Sequence, residues 1–290
     1  MLCLSELRVV GRLSLTLGRF IPARPNYNCP MDPAKLFIRD PRELPFLREQ
    51  AQIILALADE SSRSIPIHND DDFGFMTMQF LCKQIQHGES ILSLIPRRDA
   101  GLLARTMIDG FYQLLWTSHA PEERAQRWRS FSVIHDWRLI QGRLREGIAV
   151  DEPTIKENEI SLSAFGHLHR LKKPKQGSLD PYHKKWYGSV TLSDMADVVG
   201  RELYDGPYGE LSDWEHWGVS GIGESISRKD GHLLVDSFSE RVTGLSLLAM
   251  FQCLFQTLQL ADAHLSLNLT ETLHSLGECF RTTLDSFYKT

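Results

Sequence analysis

Apolar side chains recur along this chain every three or four positions far more consistently than every second one, which places them on single faces of α-helices. Segment 41–62 carries Leu47, Ile53, Ile54 and Leu57 at that spacing, despite Pro45 near its start. Asn69 and the run Asp70 to Asp72 offer N-caps to a helix over 73–94, and Pro96 ends it. Asp99 caps the next helix, to about residue 119. Pro121 followed by Glu122 and Glu123 is a proline-first, acid-rich start for a helix through Trp128, Phe131, Ile134, Trp137 and Leu144, until Gly147. Asp151, Glu152 and Pro153 open a less regular helix that gives way to a loop rich in Lys, His, Pro and Gly. Thr191 and Asp194 form a near-capping box for a helix over 192–203. Gly206 and Pro207 then force a turn, 210–217 forms a short helix, and the stretch to Gly231 makes a loop or small hairpin. Two helices, over 236–264 and 270–288, close the chain. Strand-type alternation is absent. The pattern predicts an all-α fold, a multi-helix bundle with an irregular, loop-rich insertion in its middle.

Composition narrows this only slightly. With 290 residues, 42% apolar and 24% charged, the chain is an ordinary globular sequence long enough to bury a substantial core. A net charge of −5 and pI near 6.1 argue against a mainly electrostatic nucleic-acid binder. One local basic run remains, His167, His169, Arg170, Lys172, Lys173 and Lys175, followed by His183, Lys184 and Lys185. Pro174, Gly177 and Pro181 interrupt it, so it reads as a solvated loop. Five cysteines lie scattered without a CxxC pair, which fits a reducing, cytoplasmic compartment. The most apolar stretch, 245–260, is interrupted by Ser246, Gln252, Gln256 and Thr257 and is expected to be a core helix, not a membrane span. Residues 1–30 carry Arg8, Arg12, Arg19 and Arg24 against a single acid, Glu6. That composition resembles a transit segment, or upstream sequence ahead of a true start at Met31 instead of Met1. The expected division is therefore an N-terminal extension over 1–30 and one helical domain over 31–290.

The segment from Tyr204 to Gly218 holds two tyrosines, two tryptophans, a serine, several acids and a histidine. So much aromatic area is either buried or used for binding. Its counterpart lies on the helix after Asp99, where Arg105, Asp109, Tyr112 and Trp116 form a stripe at i, i+4, i+7 and i+11. Leu103, Met107, Phe111, Leu114 and Leu115 occupy a separate arc. A helix packed on both sides would half-bury the Arg105–Asp109 pair, which then serves either as an internal salt bridge or as a clamp for a phosphate or carboxylate. Ser212 and His216 are spaced one helical turn apart, as are Tyr204 and Tyr208. Without a GxSxG elbow, Ser212 is a poor nucleophile candidate, whereas His216 suits a general acid/base or anion ligand. The predicted site is therefore Arg105, Asp109, Ser212 and His216, with Tyr204, Tyr208 and Tyr112 as ligand-binding groups. Its geometric requirement is that Arg105 or Asp109 lie near Ser212 or His216.

Weaker constellations accompany it. Arg129 and His135 fit the Arg-x(4–6)-His spacing of HEPN-type ribonucleases, helical bundles that dimerise to pair two such motifs. There a histidine can deprotonate a ribose 2′-hydroxyl while arginine stabilises the phosphorane charge. His135 and Asp136 also form a doublet like that of helical metal-dependent phosphohydrolases, but His119, Asp194 and Asp197 complete it poorly, so no metal site is expected. Glycine-rich phosphate loops and dinucleotide fingerprints are absent, and no cofactor is indicated.

Three stretches together resemble a widespread prokaryotic family of helical proteins of unknown function. They are ARTMIDGFYQLLW (104–116), ERAQRWRSF (123–131) and YDGPYGELSDWEHW (204–217). The resemblance spans about 73–260 and implies an arginine followed four residues later by an acid on a core helix, then a Tyr/Ser/His segment. Those positions are Arg105, Asp109, Tyr208, Ser212 and His216, with Asp109 where glutamate is more usual. It implies no activity. The leading expectation is a helical protein with an interior polar pocket that binds or acts on a phosphate-containing ligand. The alternatives are a non-enzymatic interaction protein and a HEPN-like ribonuclease. The ligand, a small molecule or RNA, is unidentified, and a homodimer stays open.

Overall fold

The computed structural model describes residues 40, 42–63, 65–174, 179–215, 226–235 and 238–288. The expected extension over 1–30, Met31 and His216 lie outside the described residues. The fold is organised around its longest helix, α8 (Glu240–Leu265). This helix is apolar on nearly every face, with Leu247, Leu248, Met250, Phe251, Leu254 and Leu258 all essentially buried, so it must be surrounded. Around it pack α1 (Glu43–Ser61), α2 (Asp72–Leu94) and α3 (Ala100–Ser118). By length and composition α8 could cross a membrane, but 89% of its most apolar window is buried inside the fold, as expected of a core helix. The last helix, α9 (Thr270–Tyr288), lies across α8 and α1 and stacks Phe280 on Phe251, with ring centroids 3.9 Å apart.

The sequence-predicted caps are present where side chains can reach. Asp71 accepts from Gly74 at the start of α2, at 2.8 Å. Thr191 and Asp194 complete a capping box at the start of α6 (Leu192–Val199). Asp99 occupies the N-cap of α3 but makes no side-chain cap there. The expected helix over 192–203 is shorter than its pattern suggests, because Gly200, at φ +127, ends it.

α4 (Pro121–Arg145) packs on α2, and α5 (Glu152–Phe165) on α4. The insertion that follows begins with a 3-10 turn, Gly166–His169. Its basic residues His167, Arg170, Lys172, Lys173, Lys184 and Lys185 are exposed, as a solvated run should be, but His169 is buried and the second half is tied down. Arg138 of α4 donates to Asp180 and to the carbonyl of His183, both at 2.8 Å, and Trp186 Nε1 donates to Gln113 of α3 at 2.9 Å. A β-hairpin, β1 (Ile226–Lys229) and β2 (His232–Val235), adds one small antiparallel sheet. Its four-residue strands are too short to display alternation, and its Asp230–Gly231 turn has positive φ at both positions, 51° and 79°.

α6 and α7 (Gly209–Glu215) also pack on α3. The expected break at Gly206 and Pro207 does not occur. The backbone winds instead into a π-helical segment, Tyr204–Tyr208, that runs directly into α7. A wider π turn tolerates the missing N–H of Pro207 and points both tyrosines toward α3. Arg241 of α8 anchors α7 from below through a two-pronged contact with Glu210, 2.7 Å on each arm.

Candidate functional site

α3 and the π segment face each other through a row of aromatic and cationic groups. Tyr112, 1% exposed on α3, accepts a hydrogen bond from the backbone N–H of Tyr204 at 3.0 Å. That N–H is one the widened turn would otherwise leave without an acceptor, so a side chain distant in sequence completes the π segment. Burial pushes the Tyr112 phenol well above its ordinary range, and it stays protonated. Tyr204 stacks on Tyr208 at 5.2 Å, nearly parallel. Arg201 covers Tyr204 at 4.9 Å, and Arg105 lies 4.9 Å from the Tyr208 ring centre. The order is therefore Arg201, Tyr204, Tyr208, Arg105.

Arg105 is the centre of the polar cluster. Its Nε donates to Ser212 Oγ at 3.0 Å and its Nη2 to Tyr208 OH at 3.0 Å. Asp109 lies one turn along α3, 3.7 Å from Nη1, too far for a good hydrogen bond but close enough for attraction. The Arg105 side chain is 18% exposed and that of Asp109 31%, so the pair sits at the edge of solvent. Ser212 is fully used: it accepts from Arg105 and donates to the carbonyl of Tyr208 at 2.7 Å. A hydroxyl bound in that way, with its proton on a backbone oxygen, does not serve as a nucleophile. Burial first and Asp109 second raise the Tyr208 phenol, against the pull of Arg105, so Tyr208 is a hydrogen-bond donor at neutral pH and not a base. The described cluster can orient and bind. His216, the acid/base candidate, lies outside the described residues.

The remaining candidates are placed elsewhere. Arg129 of α4 donates to the carbonyl of Asn69 at 2.8 Å and pairs with Asp72 at 2.6 Å, and it lies over Phe75, so it ties α4 to the start of α2. His135 is exposed on the same helix, six residues and about 240° further round its axis. Asp194 caps α6 and Asp197 pairs with Arg201. Among the described residues no group of three or more His, Cys, Asp or Glu could hold a metal ion. The residues that sequence reasoning missed are Arg201 and the π turn itself. Arg201 sits four residues from both Asp197 and Asp205, a spacing that was legible.

A family of unknown function, DUF5677, matches residues 75–233, more than half of the chain. The chain belongs to this family. The DUF5677 match contains Arg105, Asp109, Tyr112, Tyr204, Tyr208 and Ser212, and it also contains Arg129 and His135. It begins inside α2 and stops within the β1–β2 hairpin, so it takes in both sides of the Arg105 cluster but not the central helix α8. No curated protein and no solved structure matches the chain. DUF5677 membership supplies no substrate or reaction, and any functional reading rests on the geometry.

Proposed function

We propose that this DUF5677 protein binds a small phosphate-containing ligand at the Arg105 cluster. The observation that carries the reading is the way the guanidinium is held. Ser212 Oγ and Tyr208 OH fix its direction from the opposite element, and Asp109 pairs with it along α3 at 3.7 Å. A planar guanidinium held in a fixed direction at the edge of solvent suits recognition of an oxyanion such as phosphate. Tyr208 adds a protonated phenol beside it, and the Tyr204–Tyr208 stack supplies a flat apolar wall of the kind that accompanies a ring-bearing phosphate.

Thermal melting with a panel of nucleotides and sugar phosphates tests this. A ligand present at about a hundred times its Kd stabilises the folded state by about 2.7 kcal/mol, which raises the midpoint of a chain this size by several degrees. The shift should vanish in Arg105→Lys, which keeps the charge but loses the fork, and shrink in Tyr208→Phe. A panel without any stabilising member would sink the reading, as would an undiminished shift in a well-folded Arg105→Lys protein.

A further inference from the structure

Among the described residues, the side of α4 that packs on α2 loses its cover before the helix ends. Trp128 meets Phe75 and Phe80 there, with ring centroids 5.9 and 5.8 Å away. The same side continues through Ser132, His135, Leu139, Gly142 and Glu146, at alternating steps of four and three residues. Ser132, His135, Leu139 and Glu146 are exposed, and no described atom stands within 4 Å of where a Cβ on Gly142 would lie. α5 and the insertion hold the other side of the helix, where Asn158 donates to the Val133 carbonyl and Ser130 meets His169. Leu139, 53% exposed, is thus a large apolar side chain at the centre of a bare stripe.

The charges beside Leu139 select what covers it. Asp136 comes three residues before it and Arg143 four after, which puts both on one flank, about 60° and about 40° round the helix, near one turn away in opposite directions. Both are exposed, and neither makes an ion pair among the described residues. A second α4 laid antiparallel, with a two-fold axis at Leu139, sets each residue beside the one equally far on the other side of the partner's Leu139. Arg143 then faces the partner's Asp136, and Asp136 the partner's Arg143, offset by about 1.5 Å along the axis. On the other flank His135 and Gly142 correspond in the same way, so each imidazole lies over the partner's open glycine. Ser132 falls beside Glu146, to whose carboxylate its hydroxyl can donate. A parallel pair would set Asp136 on Asp136 and Arg143 on Arg143, which like-charge repulsion disfavours. In the antiparallel pair the partner's helix ends, at Arg145, level with Val133, short of Trp128 where α2 covers this side.

We propose that two copies of this chain associate through an antiparallel, two-fold contact between their α4 helices, centred on Leu139 and closed by reciprocal Asp136–Arg143 ion pairs. The stripe is complementary to itself, which is what an isologous dimer requires. The contact uses no residue of the Arg105 cluster and asks no chemistry of His135. A single helix pair is a small interface, so the association is weak and depends on concentration.

Sedimentation velocity of the full chain over about a hundred-fold range of concentration tests the inference. The wild type should move from the mass of one chain toward that of two as concentration rises. Asp136→Arg and Arg143→Glu, both at exposed positions, should each weaken association by about ten-fold or more, because each turns both attractions into repulsions. Mixed in equal amounts, the two variants should pair with each other as the wild type pairs with itself, since every position 136 then faces a position 143 of opposite charge. A wild type that stays monomeric throughout overturns the inference. So does a dimer that both variants leave unchanged, which places the contact elsewhere. A mixture that associates no better than either variant alone overturns it too, because the stripe then meets something other than its own copy.

Discussion

At the scale of single residues, His169 is the group whose burial has the clearest measurable consequence. It is enclosed by Ser130 and Phe131, and Arg127, His183, His167 and Arg138 surround it with positive charge, so burial and then these charges lower its pKa from 6.5 to about 4. The folded state therefore binds fewer protons than the unfolded chain between those two values. Stability is fully present above about pH 6.5 and is lost as the pH falls toward 4. Between about pH 7.5 and about pH 5 this one group should cost about 2 kcal/mol, since each tenfold difference in proton affinity between the two states is worth about 1.4 kcal/mol. His87 and His183 are displaced in the same direction and add to the loss. Denaturant titrations at the two pH values should show a smaller loss in His169→Gln than in the wild type. Equal losses would mean that His169 is solvated and protonates freely.

At the scale of elements, the contact between α9 and α8 is made close by a missing side chain. A Cβ on Gly277 would meet Cζ of Phe255 at 2.8 Å, nearer than such carbons approach, and Phe255 is held by its stack on Phe251 at 5.6 Å. Replacing glycine by alanine inside a helix ordinarily gains about 1 kcal/mol. Here the clash should reverse the sign, so that Gly277→Ala melts below the wild type while Gly277→Ala with Phe255→Leu recovers. A single variant more stable than the wild type would show that α9 shifts outward at little cost. The helix spans were largely legible, since the predicted 73–94, 270–288 and capping-box helices differ little from α2, α9 and the start of α6. Legibility failed at Gly206 and Pro207, where turn-forming residues are wound into a π segment because Tyr112 accepts the Tyr204 N–H from across the fold. It failed in the opposite sense at Gly200, which stops a helix whose apolar pattern continues.

At the scale of the whole molecule, α8 is the axis on which the other helices depend. Leu254 is completely buried there, whereas Leu139 of α4 is 53% exposed. Leu254→Ala should cost about 2–5 kcal/mol, through lost apolar burial and the cavity left behind. Leu139→Ala should stay within about 0.5 kcal/mol of the wild type. Urea unfolding of both variants checks this, and comparable losses would contradict the central placement of α8. The Arg105 cluster joins α3 to the π segment and α7, while the His169–Ser130 contact joins the insertion to α4. The Arg105 cluster does not lie on α8, although α8 supports it through the Arg241–Glu210 contact.

The chain alone determined which stretches are helical, how several of them are capped, and that Arg105, Asp109 and Tyr112 share a stripe on one helix, because periodicity, caps and proline act over a few residues. Only the tertiary structure decided that Arg105 meets Ser212, 107 residues away, and that Arg129 is spent on Asp72. Within the basic run it decided that His169 is buried against Ser130, while Arg170, Lys172 and Lys173 stay exposed as a solvated run should. Local spacing states which side chains share a face, but the partner of that face is chosen by packing around α8, where burial of apolar area outweighs any local preference.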